Sequence, residues 1–200
     1  MANNWVTSNT YLGTTDQQNN AICAWNWFGT YGWSLNAVAA MLGNMESEST
    51  INPAIWESLT VDYSRGFGLV QWTPATKLTN WAGSNYRDGN TQCSRIDWET
   101  GRGSLQWFSN PEAPIVTPPI TFAEFKVSEL DVATLANYFL WYYEHPADIN
   151  QPNRATQAQA WYNYLQGREP EDPGNTPGPW SGRTRRLPIW MMLRAPRRRR

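Results

Sequence analysis

The stretch that decides both fold and chemistry runs from Gly43 to Pro74 and reads GNMESESTINPAIWESLTVDYSRGFGLVQWTP. A predicted helix begins near Ser34 and runs into this stretch, where two carboxylates, Glu46 and Glu48, stand at its expected end. The pair Asn52-Pro53 then disfavours further helical backbone. The sequence therefore predicts a carboxylate at a helix end, a position suited to acid–base chemistry.

The choice between the two carboxylates depends on where the helix stops. Ser34 is a typical N-cap, and helical spacing forms one apolar face from Leu35, Val38, Ala39, Leu42 and Met45. Continuing that spacing places Glu46 on the apolar face and Glu48 off it. We expect the helix to end near Asn44 or Met45, so its period need not extend to either glutamate, and both stay candidates on spacing alone.

The segment after the helix is predicted to fold back as a small β-hairpin over Val61–Trp72. Gly66-Phe67-Gly68 supplies the turn, and Gln71 follows it. Glu57 and Asp62 are the nearest further carboxylates. Asp62 is preferred as a second acidic group because it precedes the turn, and the alternative for Asp62 is an ordinary surface residue.

The remainder of the chain reads as mostly helical. The patterns predict helices over Asn20–Phe28, from Pro74 through Trp81, over Thr91–Phe108 with glycine interruptions, from the N-cap Ser128 with its partner Asp131 to before Pro146, and over Arg154–Gln166. The first residues are polar and read as an arm that packs through Trp5 and Tyr11. The 13 Trp and 9 Tyr mostly suit a core, but flat rings also pack on sugars, so Trp56 and Trp72 fit either role.

Cysteine usage and hydropathy exclude several classes of protein. Cys23 and Cys93 lie far apart outside any CxxC pair, so a zinc site is not expected, and two thiols or one bridge fit equally. No apolar run is long enough to span a bilayer, and no secretory leader is expected at Met1. No phosphate-cradling loop is found.

The net charge of −1 is the sum of an acidic body and a basic tail whose charges nearly cancel. Eight of the 16 basic residues lie in 181–200, while all 17 acidic residues precede them. The tail therefore carries about +8 and the preceding chain about −9. Such a tail suits contact with a particle, attraction to anionic polymers, or non-specific contact with nucleic acid.

The motifs carry a family resemblance. Glu48-Ser49 followed by Asn-Pro, and then Gly-Leu-Val-Gln over 68–71, resembles the catalytic segment of the lysozyme-like superfamily, which includes lytic transglycosylases and goose-type lysozymes. Gly43-Asn44 before Glu48-Ser49 is most similar to the phage tail lysozyme family. Phe122, Phe125-Lys126 and Tyr143–Pro146 extend the resemblance over roughly residues 20–166.

The resemblance implies a fold class and a domain plan. The fold class is α+β, mainly α: a lysozyme-like fold with a helical domain and a small β-hairpin beside the cleft. We expect an N-terminal arm (1–19), a lysozyme-like catalytic domain (20–168), a Pro/Gly linker (169–180) and a basic tail (181–200).

The resemblance also implies a peptidoglycan glycosidase that cleaves the β-1,4 bond between MurNAc and GlcNAc. Glu48, rather than Glu46, is then the general acid, and Asp62 the candidate second carboxylate. The expected substrate-binding set comprises Gln71, Ser49, Ser64, Tyr143 and Trp72. Glu144 reads as a carboxylate at the core edge paired with an arginine, and His145 as a helix-end residue.

No metal or other cofactor is expected. The expected partners are bacterial peptidoglycan and other phage tail proteins, without specific nucleic acid. The expected location is the virion, in the phage tail, or the host cytoplasm before release as an endolysin with antimicrobial action. A lytic transglycosylase and a non-catalytic wall-binding virion protein are the alternatives.

Overall fold

The computed structural model describes residues 4–101 and 106–171 of the chain. Its described part is mainly helical. The helices are α1 Thr14–Thr30, α2 Leu35–Ser49, α3 Thr76–Ala82, α4 Gly89–Thr100, α5 Phe122–Lys126, α6 Val132–Phe139 and α7 Pro152–Leu165, with short 3-10 turns at Glu57–Leu59 and Gly83–Asn85.

Helix α2 is the central element, because nearly every side chain of its first three turns is apolar. Val38, Met41 and Leu42 are all buried, and the helix packs against α1, α6 and α7. Gly43 lets α7 approach closely, since a Cβ at this position would lie 2.4 Å from the carbonyl oxygen of Arg154. This close packing brings Arg154 beside the last turn of α2.

The N-terminus of α2 is confirmed, but its predicted end is wrong. The Ser34 side chain accepts a hydrogen bond from the backbone N–H of Ala37 at 3.1 Å. The helix then continues past Met45 to Ser49, so Glu46 and Glu48 are both helical. Ser49 accounts for the extension, because its hydroxyl donates to the Met45 and Leu69 carbonyls and fixes the last turn to the following segment.

The predicted β-hairpin over Val61–Trp72 does not form. This fully described stretch consists of turns, joined to the preceding segment by one antiparallel bridge between Trp56 and Phe67. The physical reason is local: the Glu57 carboxylate accepts the Gly66 N–H at 2.8 Å, and Gly68 adopts a positive φ of 83°. Side-chain capping and a left-handed turn replace the regular ladder that a hairpin needs.

Several predicted boundaries shift in the structure. Helix α1 begins at Thr14 rather than Asn20, and α4 ends at Thr100 rather than at Phe108. Asp131 alone caps α6, accepting from the Thr134 N–H at 2.9 Å, whereas Ser128 does not cap it. After α6 the chain continues through a wider π-helical turn, Leu140–Glu144. A π-turn of this kind re-aims side chains, and such turns are frequent at functional sites.

The structure bears on some of the predictions for the ends of the chain and for the cysteines. Residues 172–200, which include the basic tail and most of the predicted linker, lie outside the described residues. Cys23 and Cys93 are buried and are not joined to each other by a disulfide. Among the described helices none is both long and apolar enough to cross a membrane.

Candidate active site

A cleft of about 410 Å³ opens at the C-terminal end of α2. This volume lies in the range of ordinary ligand pockets. Five parts of the chain form its walls: the end of α2, the turn around 55–58, the turn around 71–73, the end of the π-turn with the residues that follow it, and the N-terminal arm. The lining residues are Tyr11, Glu48, Ile55, Trp56, Glu57, Ser58, Gln71, Thr73, Glu144 and Pro146.

Glu48 reaches the cleft from the last turn of α2. Its side chain is 22% exposed, and its Oε1 accepts a hydrogen bond from the guanidinium of Arg154, whose side chain is 6% exposed. Arg154 is itself held by Asn44 Oδ1 at 3.2 Å and Gln151 Oε1 at 2.7 Å. Helix packing and two side-chain acceptors therefore fix the cation against Glu48.

Glu144 is the second carboxylate that enters the cleft near this cation. Its Oε1 is closed off from solvent and has no hydrogen-bond partner. Burial, and secondly the charge of Glu48, raise the pKa of Glu144 well above its ordinary value, while Arg154 opposes the shift. A sealed carboxyl oxygen and a neighbouring negative charge both favour the neutral form of this carboxyl.

The opposite wall carries Gln71 and Glu57. Gln71 has a positive φ of 47°, and its amide N–H group donates to the Gly68 carbonyl at 3.0 Å. Left-handed backbone at a residue other than glycine is costly and often marks a functional position. Because the amide donates to the backbone, the orientation of the Gln71 side chain at the cleft wall is fixed.

The N-terminal arm supplies the rim of the cleft. Tyr11 is 66% exposed and lines the opening rather than packing inside. The arm is held in place by the Asn52 side chain, whose amide donates to the Ser8 and Thr10 carbonyls at 2.7 and 2.8 Å. Trp5 anchors its other end through a hydrogen bond to Asn90.

Comparisons with known sequences identify the family of the chain. The profile of the phage tail lysozyme family matches residues 19–165. The chain belongs to the phage tail lysozyme family. Morphogenesis protein 1 of Bacillus phage B103 is 44% identical over 168 residues, which cover 82% of this chain and 44% of that protein. The chain therefore spans less than half the length of this curated relative.

The structure brings Glu48 and Gln71 together in one cleft and leaves Asp62 outside it. Asp62 does not line the cleft; its side chain is 40% exposed. Its carboxylate accepts from the backbone and hydroxyl of Ser64, at 2.9 and 2.7 Å. Those hydrogen bonds, the side-chain one first, lower the pKa of Asp62. Asp62 and Ser64 therefore form an exposed turn, which does not favour the expected second-carboxylate and substrate-binding roles.

Three further residues of the expected binding set face the interior. The Ser49 hydroxyl is buried and donates to two backbone carbonyls, so it stabilises the helix end. The Tyr143 hydroxyl donates to Glu99 Oε2 at 2.5 Å, away from Glu48. Trp72 is 2% exposed and belongs to the core. These three side chains therefore lie behind the lining of the cleft and are not part of it.

The alternative acid, Glu46, lies on a different side of α2. Its Oε2 accepts from the Trp161 indole N–H at 2.7 Å, and it does not line the cleft. Glu144 also departs from its expected pairing: among the described residues no ion pair to it is formed, although Arg154 lies near enough to influence its charge. His145 stacks on Phe108, with ring centroids 3.8 Å apart, as a residue at the helix end.

Arg154 was missed by the sequence reasoning, although a signal for it existed. It continues the buried stripe of α7 formed by Ala158, Trp161 and Leu165, at helical spacing. A cation in an apolar stripe requires a buried partner.

Within residues 4–101 and 106–171, no cluster of His, Cys, Asp and Glu could hold a metal ion.

Proposed function

We propose that this chain is a peptidoglycan hydrolase that cleaves the β-1,4 bond between MurNAc and GlcNAc from a phage particle. Membership of the phage tail lysozyme family supports the substrate class and the association with a virion. The observation that carries the proposal is Glu48 itself, a partly exposed carboxyl at the end of α2 that shares a cleft with Gln71.

Glu48 acts as the general acid in this proposal. Cleavage of a glycosidic bond needs a proton on the leaving oxygen while positive charge develops on the sugar. Glu57 lines the same cleft and is oriented by the Gly66 N–H. We assign Glu57, in place of Asp62, the task of stabilising that charge or orienting the attacking water.

The walls of the cleft suit a sugar substrate. Gln71 presents a fixed amide for hydrogen bonds, and Tyr11 presents an exposed ring at the rim on which a sugar face can stack. Trp56 is 1% exposed, so it closes the floor of the cleft. Tyr11 lies outside the residues that match the family profile, so this contact belongs to the arm.

A second candidate is a non-catalytic wall-binding protein of the particle. It is favoured by the name of the relative from phage B103, which is a morphogenesis protein. The presence of Glu48 and Gln71 in one cleft favours the enzyme.

The test is the release of new reducing ends from purified peptidoglycan by the wild type and by Glu48→Gln. Loss of a general acid lowers the rate by roughly 10²–10⁴-fold. Glu46→Gln is the matched control, because it alters a glutamate of the same helix that contacts Trp161 instead of the cleft.

The proposal expects Glu46→Gln to stay active and Glu48→Gln to become inactive while both remain folded. The reverse result would assign the acid to Glu46. A wild type that leaves the glycan strands intact but sediments with the walls would establish the binding protein instead.

A further inference from the structure

The cleft contains more carboxyl groups than Arg154 pairs with. Glu48 and Glu144 both line it, and one guanidinium lies near both of them. Arg154 donates to Glu48, whereas Glu144 Oε1 is sealed from solvent without any hydrogen-bond partner. A buried unpaired carboxylate is costly, whereas a protonated carboxyl at that position is not.

The surroundings of Glu144 are mostly acidic. Its position on the π-turn directs it into the cleft, while its neighbour Tyr143 points into the core. The titratable and charged groups around it are Glu48 from α2, Glu99 from α4, Arg154 from α7, Glu57 across the cleft, and Tyr143 and His145 beside it. Two carboxyl groups in one site that cannot both ionise share a proton.

We propose that Glu144 is the proton-holding residue of the cleft, sharing one proton with Glu48 beside the Arg154 guanidinium. This inference rests on the proposed function and names a residue that serves the same site. Glu144 is a positioning residue in this scheme, because it acts on the substrate through Glu48.

The scheme gives the general acid a source for its proton. A general acid must start protonated, and Glu144 is the second carboxyl that lines the cleft. In our scheme the proton of Glu144 passes to Glu48, which leaves Glu144 ionised. Glu48 then gives that proton to the leaving oxygen as the glycosidic bond breaks. Water adds to the sugar carbon, and the proton it releases returns through Glu48 to Glu144.

The first test measures the shared proton without using activity. NMR titration of labelled glutamate carboxyl carbons follows Glu144 in the wild type, in Glu48→Gln and in Glu46→Gln. We expect the Glu144 midpoint to fall by about one pH unit or more in Glu48→Gln, because the neighbouring negative charge is gone. Glu46→Gln should leave that midpoint unchanged, and an unchanged midpoint in Glu48→Gln overturns the proposal.

The second test compares pH profiles of kcat/KM on soluble glycan strands for the wild type, Glu144→Gln and Glu144→Asp. We expect Glu144→Gln to keep the activity of the acidic limb and to lose on the order of tenfold at neutral and alkaline pH. Glu144→Asp should restore part of that loss, because it can hold a proton. Glu46→Gln, which alters a carboxyl that contacts Trp161 and lies outside the cleft, should keep the wild-type profile shape.

The outcomes separate the two proposals. A partial Glu144→Gln loss that is equal at every pH, and that Glu144→Asp does not reduce, assigns a structural role and overturns the shared proton. A complete loss at every pH, as in Glu48→Gln, overturns it too and would make Glu144 the acid itself. A wild type that never cuts glycan, yet shows the linked NMR titration, defeats the proposed function and leaves the shared proton standing.

Discussion

Two glutamate–arginine pairs lie largely inside the part of the chain that the structure describes, and one of the two opens to a cleft. In the core, the Glu99 side chain is 1% exposed; its two oxygens accept from Arg95 Nε at 2.8 Å and from the Tyr143 hydroxyl at 2.5 Å. At the cleft, the Glu48 side chain is 22% exposed and pairs with Arg154. A carboxylate whose acceptors are filled stabilises the fold, whereas one that faces a cleft keeps the capacity to react.

The two pairs are linked by neighbours on one turn. Tyr143 and Glu144 are consecutive on the π-turn after α6, and Tyr143 completes the core pair while Glu144 joins the cleft. The pair in the core therefore positions the backbone that carries Glu144. We expect changes in the core pair to affect stability and changes in the cleft pair to affect turnover.

The largest effect that separates the pairs is expected from Arg95→Ala. It leaves Glu99 buried without its cation, which costs about 3–5 kcal/mol in comparable sites. Arg95 also packs over the Trp98 ring at 4.6 Å, so the loss includes packing. Urea unfolding measures the change, with Glu48→Gln as the control that should unfold near the wild-type midpoint. A drop in activity per folded molecule for Arg95→Ala would contradict the separation of roles.

A smaller loss is expected from Tyr143→Phe. The ring and its packing on Phe139, with centroids 4.4 Å apart, are kept, but Glu99 Oε2 loses its donor. Hydrogen bonds to charged groups contribute roughly 1.5–3 kcal/mol, and the free energy of unfolding should fall by that order. If Tyr143→Phe instead reduced turnover with unchanged stability, the hydroxyl would belong to the cleft.

The pH dependence of stability gives a still finer test. Burial, opposed by Arg95 and by Tyr143, raises the pKa of Glu99 in the folded chain. A raised folded pKa contributes stability that is fully present below the unfolded value of about 4.3 and is lost as pH rises through the folded pKa. The unfolding free energy of the wild type, relative to Glu99→Gln, should therefore decrease as pH rises through that window. A difference that grows with pH would contradict this environment.

The smallest effect is expected from Asp62→Asn. This carboxylate is exposed and bonds only to groups of its own turn, Ser64 and Arg65. Asn keeps an oxygen that can accept from Ser64, so wall clearing should match the wild type. A large loss of activity in a folded Asp62→Asn variant would restore Asp62 as the second carboxylate.

The local patterns of the sequence predicted much of the fold. Ser34 and the spaced apolar residues fixed the start of α2, and the family motif selected Glu48 and Gln71. The predicted hairpin failed because Glu57 caps the Gly66 backbone, a side-chain contact that alternation and turn residues do not reveal. The end of α2 was misplaced because a single hydroxyl, that of Ser49, bonds across to Leu69.

The partners of the acid could not be read from local patterns. Arg154 lies 106 positions from Glu48 in the chain, and their contact depends on the close packing of α7 at Gly43. Glu144 enters the cleft because it lies on a π-turn, and local sequence patterns do not predict that turn. Such contacts arise from tertiary packing, and they concentrate where local rules are broken for function.

The central claim, hydrolysis of a sugar bond, is tested most directly by mass spectrometry of muropeptides from walls digested in heavy-oxygen water. The account predicts new MurNAc reducing ends that contain one solvent oxygen, formed by the wild type and by Glu46→Gln but not by Glu48→Gln. Products that are lighter by one water and closed as an anhydro ring would contradict hydrolysis. Intact glycan strands would contradict the whole account.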